Sequence, residues 1–331
     1  MASALGARDL LKLVRRGIDV RSVQVHVRKP FRFLLCGDPA LIAEMRALLL
    51  SGHADDAVPL DAAACLETVF SPAAPIGEPG EVRAVLFLGR PNDFSETDLA
   101  PLKGLKVPML AATIDADAPP SGPSSAPPPG TWGRYVVPGI SRDALRGRIF
   151  PHLVDASRGV EIAIGRRLPA MREAVAAKLT RDAASNALKV SLASAVVDHI
   201  PIVGIVLGAV ASAGDMVAIT GIQMMLLLHI EAAYGRDPDV AHMWQLLPVV
   251  GGGFGWRTLA RELSGFIPVA GIAIKGAIAY AGTIVVGESV TFFLEHGHHM
   301  TRGQAAKIFE TTKRDAMDFA RDLAGKFRNG G

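Results

Sequence analysis

The first half of the chain alternates short apolar runs with longer mixed stretches. Residues 31–52 read FRFLLCGDPALIAEMRALLLSG, and further runs follow at 82–88 (VRAVLFL), 107–114 (VPMLAATI) and 135–138 (YVVP). Short, nearly continuous aliphatic runs are the pattern of strands buried on both faces, so the spacing predicts a parallel sheet with helical stretches covering it. The second half reads differently, in longer glycine-punctuated apolar stretches, and two of these match. Residues 200–214 read IPIVGIVLGAVASAG and residues 267–282 read IPVAGIAIKGAIAYAG. Pro201 and Pro268, like Gly204 and Gly271, are 67 residues apart, and one extra residue then aligns Gly208 and Gly214 with Gly276 and Gly282. Proline at a helix start followed by small residues every three or four positions lets backbones come close, which predicts two similar helical units packed together. The tail at 301–328 sets Ala, Ile, Phe, Met and Leu in one stripe among alternating charges, an amphipathic helix that closes the domain.

Composition adds bounds. At 331 residues, 50% hydrophobic and with a mean hydropathy of +0.30, the chain has apolar material for two cores. A net charge of +3 with 6% aromatics supplies no stacking platform, so nucleic acid is not an expected partner. Cys36 and Cys65 lie in different segments and form neither a disulfide framework nor a metal-type Cys-x-x-Cys, which points to a reducing compartment. Residues 1–29 form a basic arm, with Arg8, Lys12, Arg15 and Arg16 among Leu10, Leu11, Leu13, Val14 and Ile18. No sustained apolar run or small-residue cleavage site follows, so it does not read as a signal peptide. Either it lies on an anionic membrane, where each Lys or Arg contributes about 1 kcal/mol, or it packs on the domain that follows.

The candidate chemistry of the first half centres on Gly37. A phosphate loop needs Gly, four residues, then Gly-Lys-Ser/Thr, so that N–H groups wrap the phosphates, the lysine reaches the terminal ones and the hydroxyl holds Mg²⁺. Gly37 and Pro39 fit this pattern, but Ile42, Ala43 and Glu44 stand where Gly, Lys and Ser belong. With these residues, 30–155 resembles a degenerate GTPase domain. The block AVLFLGRPNDFSETDLAPLKGLKVPMLAATIDAD is similar to the stretch leading into the guanine-recognition motif Asn-Lys-x-Asp, with Ile114 and Asp115 replacing Asn and Lys and Asp117 alone matching. Residues 137–145 (VPGISRDAL) look like the last GTPase motif and the start of its closing helix. Asp117 either accepts from a base edge or is a turn residue opening the Pro/Ser/Gly tract at 119–130, which reads as a flexible or polyproline-like loop. Losing the lysine, the hydroxyl and the close-approach glycine removes charge-assisted contacts of about 1.5–3 kcal/mol each, so neither tight GTP binding nor hydrolysis is expected.

In the second half, RRLPAMREAVAAKLTRDAASNAL, the two IPxxGI repeats, DMVAITGIQMMLLLHIEAAYG and GGGFGWRTLARELSGFIP resemble domain-of-unknown-function family 697. That resemblance implies a bacterial protein whose GTPase-like module is joined to a membrane-related helical domain, here 156–328, and carries over no catalytic residues. A spanning helix needs about 20 apolar residues. Only 15 uncharged residues separate His199 from Asp215, and Lys275 interrupts the second repeat, so short embedded hairpins, peripheral attachment and a soluble helical core all stay open.

Other clusters are weighed the same way. Glu295, His296, His298 and His299 crowd together, but Gly297 splits them at a helix end, so they lack the one-face i, i+4 geometry of a helical zinc pair. Asp198-His199 reads as a helix-entry pair without a placed nucleophile. Gly251–Gly255 ahead of Trp256-Arg257 lacks the Lys-Ser/Thr of a phosphate loop and reads as a turn. Arg257 and Arg261 are either lipid-facing or ordinary surface charges. The sequence thus leads to a non-enzymatic adaptor or scaffold on the cytoplasmic face of a bacterial inner membrane, without cofactor or metal, with a protein partner, lipid contact and self-association as its interactions. The alternatives are a nucleotide-binding switch with an altered loop and a soluble homo-oligomeric structural protein.

Overall fold

The computed structural model describes residues 19–53, 58–72, 76, 78–197, 204–239 and 271–329. The chain divides into two compact units. One comprises residues 24–178 and 232–236, and the other comprises the described residues of 1–23, 179–231 and 237–331.

The first unit is α/β. Helix α1 (Val20–Arg28) leads into strand β1 (Arg32–Gly37), followed by α2 (Pro39–Leu50), the short α3 (Leu60–Ala64) and β2 (Leu66–Thr68). Then come β3 (Val82–Gly89), β4 (Met109–Ile114) and β5 (Trp132–Val137), and after them α4 (Arg142–Arg146), α5 (Ile149–Asp155) and α6 (Glu161–Arg167). The sheet is five-stranded and parallel throughout, in the order β2-β1-β3-β4-β5. Register follows burial. Leu34 and Cys36 on β1, Val85 and Phe87 on β3 and Met109 and Ala111 on β4 share one core face, closed by Phe94, Leu99, Leu102 and Trp132. On α2, Leu41, Ile42, Met45 and Leu49 are buried at helical spacing, and the helix packs on β1 and β3.

Crossovers are thinner than the sequence reading expects. From β3 to β4 the chain makes only a 3₁₀ segment (Ala100–Leu105), and from β4 to β5 it uses the Pro/Ser/Gly tract with no helix. Pro101 and Gly104 shorten the first, while the missing N–H groups of Pro119, Pro120, Pro123 and Pro127 through Pro129 preclude a helix in the second. The tract is tied down rather than free. Ser121 exchanges backbone hydrogen bonds with Val136 on the edge of β5, Arg148 Nη1 donates to the Gly122 carbonyl at 2.8 Å, and Gly130 N–H donates to Val107. Gly122 lies so close over Tyr135 that a Cβ would strike its ring. This antiparallel bridge covers an edge that would otherwise expose unpaired backbone groups.

The second unit is helical. Helix α7 (Arg172–Val197) begins in the first unit and enters the second at Leu179, and α8 (Gly204–Ala233), α9 (Gly271–His296) and α10 (Arg302–Asn329) follow. Gly204, Gly208 and Gly214 lie in α8 and Gly271, Gly276 and Gly282 in α9, so both matched segments are helical over their described residues, while Pro201 and Pro268 lie outside them. Within this unit α7 meets α9 at Gly287, where a Cβ would strike the Thr180 side chain. Gln223 Nε2 donates to Thr283 Oγ1 at 3.3 Å between α8 and α9, a buried polar contact. Helix α10 opens with a capping box: Thr301 N–H donates to Gln304 Oε1 at 2.9 Å and Gln304 N–H donates to Thr301 Oγ1 at 3.3 Å. Its Ala305 and Phe309 pack on Ile278, Ala281 and Val285 of α9.

Candidate functional site

In open parallel sheets, ligands bind beyond the carboxyl ends of the strands where chain direction across the sheet reverses. Here that point lies between β1 and β3, and it is where Gly37 and Pro39 sit. Gly37 ends β1 with φ +114°, and a Cβ on it would run into the Leu88 carbonyl at the end of β3. Only glycine allows both the left-handed turn and that approach. One residue later the helix has begun. Asp38 N–H donates to Leu88 at 2.8 Å, Pro39 fills the first helical position, and Asp38 Oδ1 accepts from Ala40 N–H at 2.7 Å and Leu41 N–H at 3.2 Å.

A phosphate loop would need several residues between strand and helix to wrap an anion. This chain has Asp38 alone, so Ile42, Ala43 and Glu44 fall inside α2. Ile42 is buried in the core, and Ala43 and Glu44 face solvent. The positive end of the helix dipole and its first free N–H groups are already satisfied by the Asp38 carboxylate. Arg90, at the end of β3, brings Nε within 4.0 Å of Asp38 Oδ2 and donates its own N–H to Asp93 at 2.7 Å. An incoming phosphate would have to displace a covalently tethered anion and face its charge.

Asp117 lies on the same carboxyl edge, beyond β4. It is exposed, and its N–H donates to Asp115 Oδ1 at 3.1 Å in a side-chain-closed turn. The topology puts Gly37, Pro39 and Asp117 on one edge, yet leaves the first two bound up in helix capping. Burial pushes Cys36 up to about 12 and Cys65 up to about 11, so neither thiol is ionised at neutral pH. His296 ends α9 and stacks on Phe292 with ring centres 4.2 Å apart, while His299 stacks on Phe293 at 5.2 Å. Gly297, at φ +71°, closes the helix by donating to the Phe293 carbonyl at 2.9 Å. Asp198, His199, residues 251–257 and Arg261 lie outside the described residues.

Comparison of the chain with protein-family models, curated proteins and solved structures finds no match.

Proposed function

We propose that this protein is a non-catalytic adaptor, a GTPase-derived α/β unit joined to a helical unit that associates with the cytoplasmic face of a bacterial inner membrane. The observation that carries the reading is the junction of β1 with α2, where Asp38 occupies the anion position and no loop exists to hold a triphosphate. With the phosphate lysine and the Mg²⁺ hydroxyl also absent, the groups on which phosphoryl transfer depends are missing. The α/β unit then serves as a surface for a protein partner. The helical unit supports attachment because Gly276–His296, with a mean hydropathy of 1.6 over its most apolar 18-residue window, is long and apolar enough to cross a membrane.

A thermal-shift titration tests the adaptor reading against a nucleotide switch. A ligand at 100 times its dissociation constant stabilises by about 2.7 kcal/mol. Millimolar Mg-GTP or Mg-ATP is expected to leave the melting temperature where it was. A saturable rise with either nucleotide would return the protein to the class of switches.

A further inference from the structure

The Pro/Ser/Gly tract that covers the edge of β5 is held down by polar contacts, and one of its anchors is titratable. Ser121 exchanges backbone hydrogen bonds with Val136, Arg148 Nη1 donates to the Gly122 carbonyl at 2.8 Å, and Gly122 rests against the Tyr135 ring. The titratable anchor is His152, on α5 one turn beyond Arg148. Its ring centre lies 5.4 Å from that of Tyr135, tilted by 48°, and the ring hydrogen-bonds the Ser124 backbone in the bend of the tract. Tyr135 is fully buried and His152 is 5% exposed, so the imidazole is shut in among strand, helix and tract.

A neutral imidazole fits this setting and an imidazolium does not. The neutral ring has a single N–H to place, and the Ser124 backbone takes it. Nδ1 makes no hydrogen bond among the described residues, and neither does the Tyr135 hydroxyl. Protonation adds a second N–H and a charge where no acceptor waits, which a buried site penalises heavily. Burial lowers the His152 pKa; Ser124 and Asp155 act to raise it, and Arg148 adds to the lowering. Asp155 is on α5 itself. Tyr135 is pushed up to about 12 by burial and stays neutral. The tract contains no charged residue, and β5 contains only Arg134, which is exposed. Neither therefore brings a counter-charge to the ring.

We propose that this tract is an acid-released strap: protonation of His152 detaches residues 119–126 from β5 and uncovers the outer edge of the sheet. The open form accepts a proton that the closed form resists, so opening is linked to proton uptake and the open fraction rises as pH falls below the ordinary histidine value of 6.5. Release brings the second N–H to water. It also frees the N–H and C=O of Val136, groups of the kind through which a sheet edge accepts a further strand. The strap lies wholly within the α/β unit and does not rest on the adaptor reading.

Amide hydrogen exchange on the full chain, corrected for intrinsic rates and followed by NMR, tests the strap. Between about pH 7.5 and 5.5 the protection of the Val136 amide is expected to fall about tenfold, the ratio that follows when a group of ordinary histidine pKa titrates only in the open form. At both pH values Val136 should be less protected than Ala112 on β4 and indifferent to low urea, because a local opening exposes little surface. His152→Phe should abolish the pH response of Val136, and His53→Asn should leave it intact. If His152→Phe loses its circular-dichroism signature, His152→Gln, which retains a donor for Ser124, carries the same expectation. Arg148→Gln should lower Val136 protection at neutral pH. Protection of Val136 that is constant with pH, that follows Ala112 through both pH and urea, or that still falls in the His152 variants overturns the proposal.

Discussion

Asp38 illustrates how one side chain redirects a familiar topology. Its carboxylate serves two N–H groups at once and neutralises the start of α2, so Asp38→Ala should cost about 1 kcal/mol and Asp38→Asn less, read from the shift in urea midpoint. An unchanged midpoint for the alanine variant would mean the cap contributes nothing. Its neighbour is less tolerant. Gly37→Ala places a side chain both at φ +114° and against the Leu88 carbonyl, and should destabilise by more than about 2 kcal/mol. Two histidines add a pH dependence. His53 and His152 lie below the ordinary 6.5, chiefly because burial penalises the imidazolium. Below about pH 6.5 the unfolded chain therefore takes up protons that the folded chain does not. The stability they contribute is present at neutral pH and is lost as pH falls through the lowered folded values. Urea midpoints measured down an acid series should decline, with a shallower slope for His53→Asn. A midpoint that holds or climbs on acidification would contradict this.

At the level of elements, legibility followed how much of an element's character lies in its own residues. The strands β1, β3, β4 and β5 are readable because runs such as VRAVLFL and MLAATI are buried almost throughout. The strand β2 is not, since Leu66, Glu67 and Thr68 contain one buried residue and no pattern. The Pro/Ser/Gly tract reads as loose from composition, and what holds it is remote: Arg148 and the edge of β5. Asp-Pro before an apolar run is a local signal for a helix start, yet laying a phosphate-loop register over it obscures that the helix begins at Pro39. A cleft before the amino ends of β1 and β2 escapes any linear reading because Arg28, His53, Asp61, Arg172 and Tyr234, which line it, are spread along the chain and only the fold gathers them. In the helical unit, the contact of Gly287 with Thr180 sets how closely α7 and α9 approach. Gly287→Ala should therefore cost about 1–3 kcal/mol by overpacking, and Thr180→Ala in the same chain should recover part of it. Equal midpoints for Gly287→Ala and the parent protein would show that this crossing is looser than it looks.

On the scale of the whole molecule, two compact units of different character share one chain. The sheet-bearing unit carries Asp38 at one strand-end edge and, at the other, a cleft lined by Arg28, Arg166, Arg167 and Arg172. The helical unit contains an apolar stretch of 21 residues, Gly276–His296, whose most apolar 18-residue window is 61% buried inside the fold. If that helix enters a bilayer, the protein should remain in the membrane pellet after a carbonate wash, and Glu substitutions within the stretch should release it. Full recovery in the supernatant without detergent would confine the helix to a protein core.

The tethered carboxylate at Asp38 also has a consequence for regulation. If the adaptor reading holds, a protein that carries its own counter-ion in the place of a triphosphate has no nucleotide-empty and nucleotide-loaded forms to alternate between at that edge, and its shape does not follow the energy charge of the cell. On the adaptor reading, what governs when it acts then comes from abundance, location, other ligands or the company it keeps.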